Sequence, residues 1–432
     1  MTKEFSIRRS WLSRKGNSEL DVTLCQLQIT VGERVVTEYS GEFDHGGDHL
    51  EIPAYYLAEW MAENWWPLLW EPRKSEDAGD DADFLARHSI LTAQHGFALP
   101  KILFVPIGRN IQISASPRDV QFADIRFRKG GLAWPSRKDV ESELRQFVIS
   151  VVRRLTESSI SGTSLHEAWN LVEGTAEDEI EFCQYVGALG LSPYSANEAV
   201  ENTLDRVSPI LGRRLAMDLC LASTPENFQA AARTAEIAHG AMALAPLSTL
   251  EPLATIPIPA DNPMLPAWRR GVQAAQRVRT KLGIKETDPY GSNLLFEKLK
   301  IDPSRRIQHA DNNIEGAPVV GAVARKDQIA RVALLQHKEV QRRFAAARAA
   351  YAAWASENQE ESRLLTLAVT RDQQASRAFA AEMTAPFAYI RSQAKGSKLP
   401  QHRVFELASN LNVGADVVQK QALNNGLQIT PL

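Results

Sequence analysis

Cysteine is scarce in this sequence: three in 432 residues, Cys25, Cys183 and Cys220, far apart and in no CxxC pair. The scarcity excludes a disulfide framework and a cysteine-built zinc knuckle, and it suits a reducing compartment. Long apolar runs are missing too, for nothing approaches the roughly 18 residues that a membrane helix needs. The opening MTKEFSIRRSW has no apolar stretch of the signal-peptide kind. The expectation is a soluble, cytoplasmic chain with no membrane partner. No GxxxxGK[ST] loop occurs, no GxGxxG follows a strand, and no GxSxG elbow is present. Nucleotide-driven chemistry therefore has no support, and no cofactor is expected.

What is there reads as globular. Hydrophobic residues make up 44% and charged ones 23%, ordinary values that argue against disorder. The length predicts two or three domains. The net charge of −3 hides an asymmetry, because residues 262–432 carry 25 Lys and Arg against 15 Asp and Glu. Residues 1–261 carry 24 against 37. The basic back half could face an anionic partner such as nucleic acid, or simply be a solvated surface.

Three textures follow one another. Residues 1–135 read as β-rich. DVTLCQLQITVGERVVTEYS (21–40) alternates around a Gly32-Glu33 turn, and 101–117 and 123–135 repeat the pattern with turns at Gly108-Arg109-Asn110 and Gly130-Gly131. PAYYLAEWMAENWWPLLWEP (53–72) reads as helical up to Pro67, and the acidic SEDAGDDAD (75–83) as an exposed loop. Residues 136–246 read as helical, starting from a Ser136 cap, with Val140, Leu144, Phe147, Val148, Val151, Val152 and Leu155 at helical spacing. The Pro-rich stretch 247–266 reads as a linker or extended strap and marks a domain boundary. Residues 267–432 are again mostly helical, with a short β portion near 314–335. The expected class is α+β and multidomain.

The last region carries a resemblance. Helices at 268–284 and 289–301 precede the Gly-Ala-Val β portion, then come QRRFAAARAAYAAW (341–354) and QQASRAFAAEMTAPFAYIR (373–391). Arg377-Ala378-Phe379-Ala380-Ala381-Glu382 with Pro386, and then Phe405, Leu407, Ala408 and Leu411-Asn412-Val413, complete the ordered set. That order resembles the ImmA/IrrE family of zinc-dependent endopeptidases. There, an RF-x-x-A-HExxH helix follows a small sheet, a second helix of the E-x-N-x-FAAELLxP type supplies a third ligand, and a small helical segment closes the domain. The resemblance implies a zincin-like, mostly helical domain with a small sheet over 267–432.

The chemistry of that family does not carry over. A zincin needs two imidazoles one helical turn apart and a carboxylate beside the first. Laying Arg343-Phe344 on the family's RF puts Arg348 at the first His, Ala349 at the general base and Ala352 at the second His. The third ligand falls at Ala375, flanked by Gln374 and Ser376. Residues 341–354 contain no His, Asp or Glu, and arginine does not bind zinc. The resemblance therefore implies a pseudo-protease with no catalytic residues and no metal. A buried Arg348 calls for a carboxylate, with Glu382 and Asp372 the candidates on the facing helix. A solvent-facing Arg348 is the other reading. The former cleft is either packed shut or open to a small ligand or peptide.

Elsewhere, Asp44, His45, Asp48 and His49 could chelate a divalent metal with a further ligand from His88 or His95, although Gly46-Gly47-Asp48 is also ordinary turn chemistry. Leu165-His166-Glu167-Ala168-Trp169-Asn170 is one letter short of HExxH. Trp60, Trp65, Trp66 and Trp70, with Tyr55 and Tyr56, are either core or anchors for a protein partner. The expected function is a non-catalytic regulatory or interaction protein of bacteria or a mobile element. It would bind a protein partner, repressor-like or from a defence system, in stress response or antiphage defence. The alternatives are a metal-dependent hydrolase with its site in the front half and a DNA-binding regulator acting through the basic C-terminal region.

Overall fold

In the computed structural model, every second side chain of the strand Leu24–Val31 is buried, namely Cys25, Leu27, Ile29 and Val31. The structure describes all residues except 1–2, 14–15, 42–45, 75–80, 122–123, 196, 306, 308–315, 357 and 432. The fold is α+β, with several small sheets. Among the described residues, no helix is long and apolar enough to cross a membrane.

The chain divides into two compact units, Met1–Glu198 and Ala199–Leu432. Strand Leu24–Val31 lies between Phe5–Trp11 and the strands Arg34–Val35 and Leu50–Pro53, all antiparallel. A second hairpin, Lys101–Ile107 with Asn110–Ser116, turns at Gly108, whose φ of 81° suits glycine. The helix Arg137–Glu157 starts where Ser136 Oγ accepts the Asp139 N–H. Its Val140, Leu144, Phe147 and Val151 join Phe5, Leu27 and Phe104 in one core. This shared core is why the border expected at 135 falls inside a unit. The helix break in 53–72 lies at Asn64 and not at Pro67. Pro67 is the third residue of a new helix, Trp65–Trp70, where its missing N–H has no intrahelical role. Cys25 and Cys183 are buried, and burial pushes their thiols up to about 12 and about 11.

The second unit opens with α1 (Glu198–Ala222), interrupted at Gly212, and α2 (Phe228–Ala243). The supposed linker is part of this unit. Its first residues form β1 (Leu247–Thr249), which pairs with a strand some 80 residues on, and its carbonyls at Pro257 and Pro259 accept Arg277 and Arg270. Then follow α3 (Ala267–Lys281), α4 (Gly291–Leu299), β2 (Val319–Lys326), β3 (Ile329–Leu334), α5 (Glu339–Trp354), β4 (Glu360–Thr366) and α6 (Arg371–Thr384). The sheet has the order β1-β3-β2-β4, antiparallel throughout. The helices α7 (Phe387–Ser392), α8 (Gln401–Leu411) and α9 (Ala415–Asn424) close the chain around a small core of Ile390, Leu399, Val404, Leu407, Val418 and Leu427.

Helices α3 and α6 cross at Gly271. A Cβ there would sit 2.0 Å from the Ala375 carbonyl oxygen and 2.8 Å from the Phe379 nitrogen. Both neighbours are backbone, so the crossing has no soft atom to move. Gly271→Ala should destabilise the chain by about 3 kcal/mol through overpacking. An unchanged urea midpoint would show that the helices separate freely.

Candidate functional site

Helix α5 is built from alanine because it lies close to its neighbours. Ala345, Ala346, Ala347, Ala349, Ala350 and Ala353 are all buried, in one core with Val323 and Leu365 of the sheet and Phe379 of α6. Into this packing the helix projects Arg348, which is only 2% exposed. Its Nη2 donates to the Thr366 carbonyl at 2.6 Å and to Gln373 Oε1 at 2.6 Å, and its Nε donates to Ser376 Oγ at 3.2 Å. All three acceptors are neutral. Burial, and then the charge of Arg377, pull the Arg348 guanidinium down to about 9.

The expected carboxylate partner is therefore a correction, and so is the solvent-facing alternative. Arg348 meets α6 at Gln373 and Ser376, while Glu382 lies about 9 Å beyond Ser376 along that helix. Glu382 instead accepts Gln421 Nε2 at 2.8 Å and the Phe387 N–H at 3.2 Å, which ties α6 to the closing helices. Asp372 faces other cations. Burial works to raise its pKa, but Arg363, Arg270 and Arg214 hold it below the usual carboxylate range.

One acceptor of Arg348, the Thr366 carbonyl, belongs to the outer edge of β4, and the other two belong to α6. The Leu364 N–H donates to Asp218 Oδ2 at 3.1 Å, and its carbonyl accepts Gln373 Nε2 at 2.7 Å. The Thr366 N–H donates to Gln373 Oε1 at 3.1 Å, and the Thr366 carbonyl takes Arg348. Side chains thus take the backbone groups that Leu364 and Thr366 would offer an added strand. At the positions where the resemblance places a zinc, the chain offers Arg348, Ala349, Ala352 and Ala375. Ser376 and Gln373 are already engaged. These residues do not fit a metal.

The front-half candidates do not converge either. Asp44 and His45 lie outside the described residues. His49 Nδ1 contacts its neighbour Asp48 at 2.9 Å, and Asp48 also accepts Gln28. His88 is buried with its Nε2 3.1 Å from Glu71, whose carboxylate also takes both arms of Arg87. His95 stacks on Tyr56 at 4.2 Å. His166 contacts the cap residue Thr163. No group of three or more His, Cys, Asp or Glu among the described residues could hold a metal. Trp60, Trp65 and Trp66 are buried and so are not presented to a partner. Trp60 donates to the Ala86 carbonyl, Trp65 packs edge-on against Trp169, and Trp66 donates to Tyr194. Trp70 lies under Arg137 at 3.7 Å. In the basic region, Arg342 is buried on the carbonyls of Pro303, Gln336 and His337, and Arg343 binds Asn293, so neither is spare for phosphate. No family model, curated protein or solved structure matches the chain.

Arg348→Ala empties a buried site and leaves the Thr366 carbonyl without its donor, so stability should fall by about 3 kcal/mol. A loss near zero would mean that the buried charge costs as much as its bonds return. Glu382 gives a pH signature. Burial lifts its carboxyl above the usual 4.5, outweighing the Gln421 and Phe387 donors. The unfolded chain then releases this proton at lower pH than the folded one, so stability falls as pH rises through the raised value. Glu382→Gln removes that slope. Relative to wild type it should gain stability in urea unfolding as the pH is raised above about 4.5.

Proposed function

We propose that residues 267–432, within the second unit, form a pseudo-metallopeptidase domain and that the chain works by binding a protein partner without cutting it. The reading rests on the resemblance of 267–432 to the ImmA/IrrE endopeptidases. One observation carries it: Arg348, which the resemblance lays on that family's first zinc-binding histidine, is buried and bonded to three neutral acceptors. Its support is chemical. A guanidinium is a fixed cation with no lone pair to give a metal. In place of a metal it holds β4 against α6. The alanines at the general-base and second-histidine positions supply no proton acceptor and no ligand.

The partner class follows by analogy. Active members of that family are regulatory proteases acting on repressors after stress or phage signals, some within antiphage defence. A chain that kept the scaffold and lost the ligands would serve by recognising a repressor-like or defence protein. The sealed edge of β4 favours recognition elsewhere on the unit and not by strand addition at that edge.

The test is metal content and hydrolysis together. Purified chain, dialysed without chelator, should hold no stoichiometric zinc and should leave denatured casein uncut, and phenanthroline should not shift its unfolding midpoint. About one zinc per chain with chelator-sensitive cleavage of casein would overturn the reading.

A further inference from the structure

The two edges of the second unit's sheet are treated differently, and the difference marks a site. Strand β1 covers only the first half of β3, pairing Leu247, Ser248 and Thr249 with Arg331, Ala330 and Ile329. The Leu250 N–H donates to Gln328, and on the other flank the Leu335 N–H donates to Val320. In an antiparallel ladder these two bonds fix the alternation, so Val332 and Leu334 turn their backbone N–H and C=O groups toward the β1 side. Beyond Leu247 the chain leaves that line at Pro246. Among the described residues no strand lies beside Val332 and Leu334.

A hollow of about 230 Å³ opens at this gap. Leu244, Ala245, Ile301, Val332 and Leu334 form its apolar wall, and Lys300, Arg305 and Asp302 its charged rim. Asp302 is engaged, since its carboxylate accepts the Ser304 N–H at 2.9 Å and the Ser304 hydroxyl at 2.6 Å. Its charge also faces Arg305, so the exposed rim carries two cations and one anion and is net positive. Leu244 and Leu247 are 81% and 55% exposed, an unusual outlay of leucine beside an open edge.

We propose that this gap captures the C-terminal end of a partner protein. The last residues extend along Val332 and Leu334 as an added strand, an apolar terminal side chain enters the hollow, and the α-carboxylate meets Lys300 and Arg305. The hollow is smaller than the roughly 300–1,000 Å³ of small-molecule sites and suits one or two residues. Pro246 closes one end of the line, so a chain terminus fits where a through-running segment does not. Strand addition supplies affinity through backbone bonds, and the hollow and the cations supply selectivity. This inference deepens the reading that the chain works by binding a protein, and it rests on it.

The test uses the full chain and a panel of fluorescein-labelled hexapeptides ending in Leu, Ile, Val or Phe, each as free acid and as C-terminal amide. Anisotropy should show binding of at least one free acid, weakened about tenfold or more by amidation. Leu244→Glu and Arg305→Glu, both at exposed positions, should each weaken it by a similar factor. Free acid and amide binding alike, or no free acid binding at all, would overturn the proposal. Either outcome leaves the pseudo-protease reading standing as long as the same peptides emerge uncut. Cleavage of a peptide would instead sink that reading.

Discussion

The second unit depends on how the outer edge of β4 is satisfied. An edge strand carries a row of backbone donors and acceptors that must find partners once they are buried. Here one amide, Gln373, takes the Leu364 carbonyl with its nitrogen, and with its oxygen takes both the Thr366 N–H and Arg348. Asp218 reaches in from α1 to take the Leu364 N–H, and the same carboxylate pairs with Arg363. Three helices, α1, α5 and α6, are thereby fixed to one strand. Arg348 adds the last acceptor's donor and brings its charge at the expense of desolvation. The arrangement is costly to disturb in pieces, because each removed group orphans another.

That accounting bears on what the site can do. At Leu364 and Thr366 the outer edge of β4 is taken by this chain's own side chains and is not free to align a peptide there. The gap beside β3 is the converse: backbone groups of Val332 and Leu334 face a hollow, and leucines stand in solvent around it. Within one sheet, one edge is held by polar side chains at Leu364 and Thr366 and the other is left short.

Much of the helical architecture was legible from periodicity. The helices near 137–157, 267–281, 339–354 and 371–384 were expected within a few residues of their bounds, with Ser136 marking one start. The Leu24–Val31 hairpin was legible from its alternation. Strand β4 was not, because Glu360-Glu361-Ser362-Arg363 is polar on both faces and only its pairing with β2 makes it a strand. The boundary near 198 was hidden because helices flank it on both sides without a change in composition. The Pro-rich stretch looked like a linker because proline breaks regular structure. Yet broken backbone can still be bound, as the Trp354 indole bonded to the Leu253 carbonyl shows. At the candidate site, the loss of ligands was plain from residue identity alone. The partners of Arg348 were not, since the general rule that buried charge seeks opposite charge gave way to an amide, a hydroxyl and a carbonyl brought from two other elements.

The buried thiols have a practical consequence. Cys25 and Cys183 are shielded from solvent and shifted toward the unreactive protonated form, and Cys220 is buried as well. A maleimide added to the folded chain finds no ready nucleophile at neutral pH. A single cysteine placed on the surface can therefore be labelled selectively without removing the native ones. The native thiols in turn become clocks. Cys25 and Cys183 lie in the first unit and Cys220 in the second, so the rate at which each is modified reports how often its own unit opens.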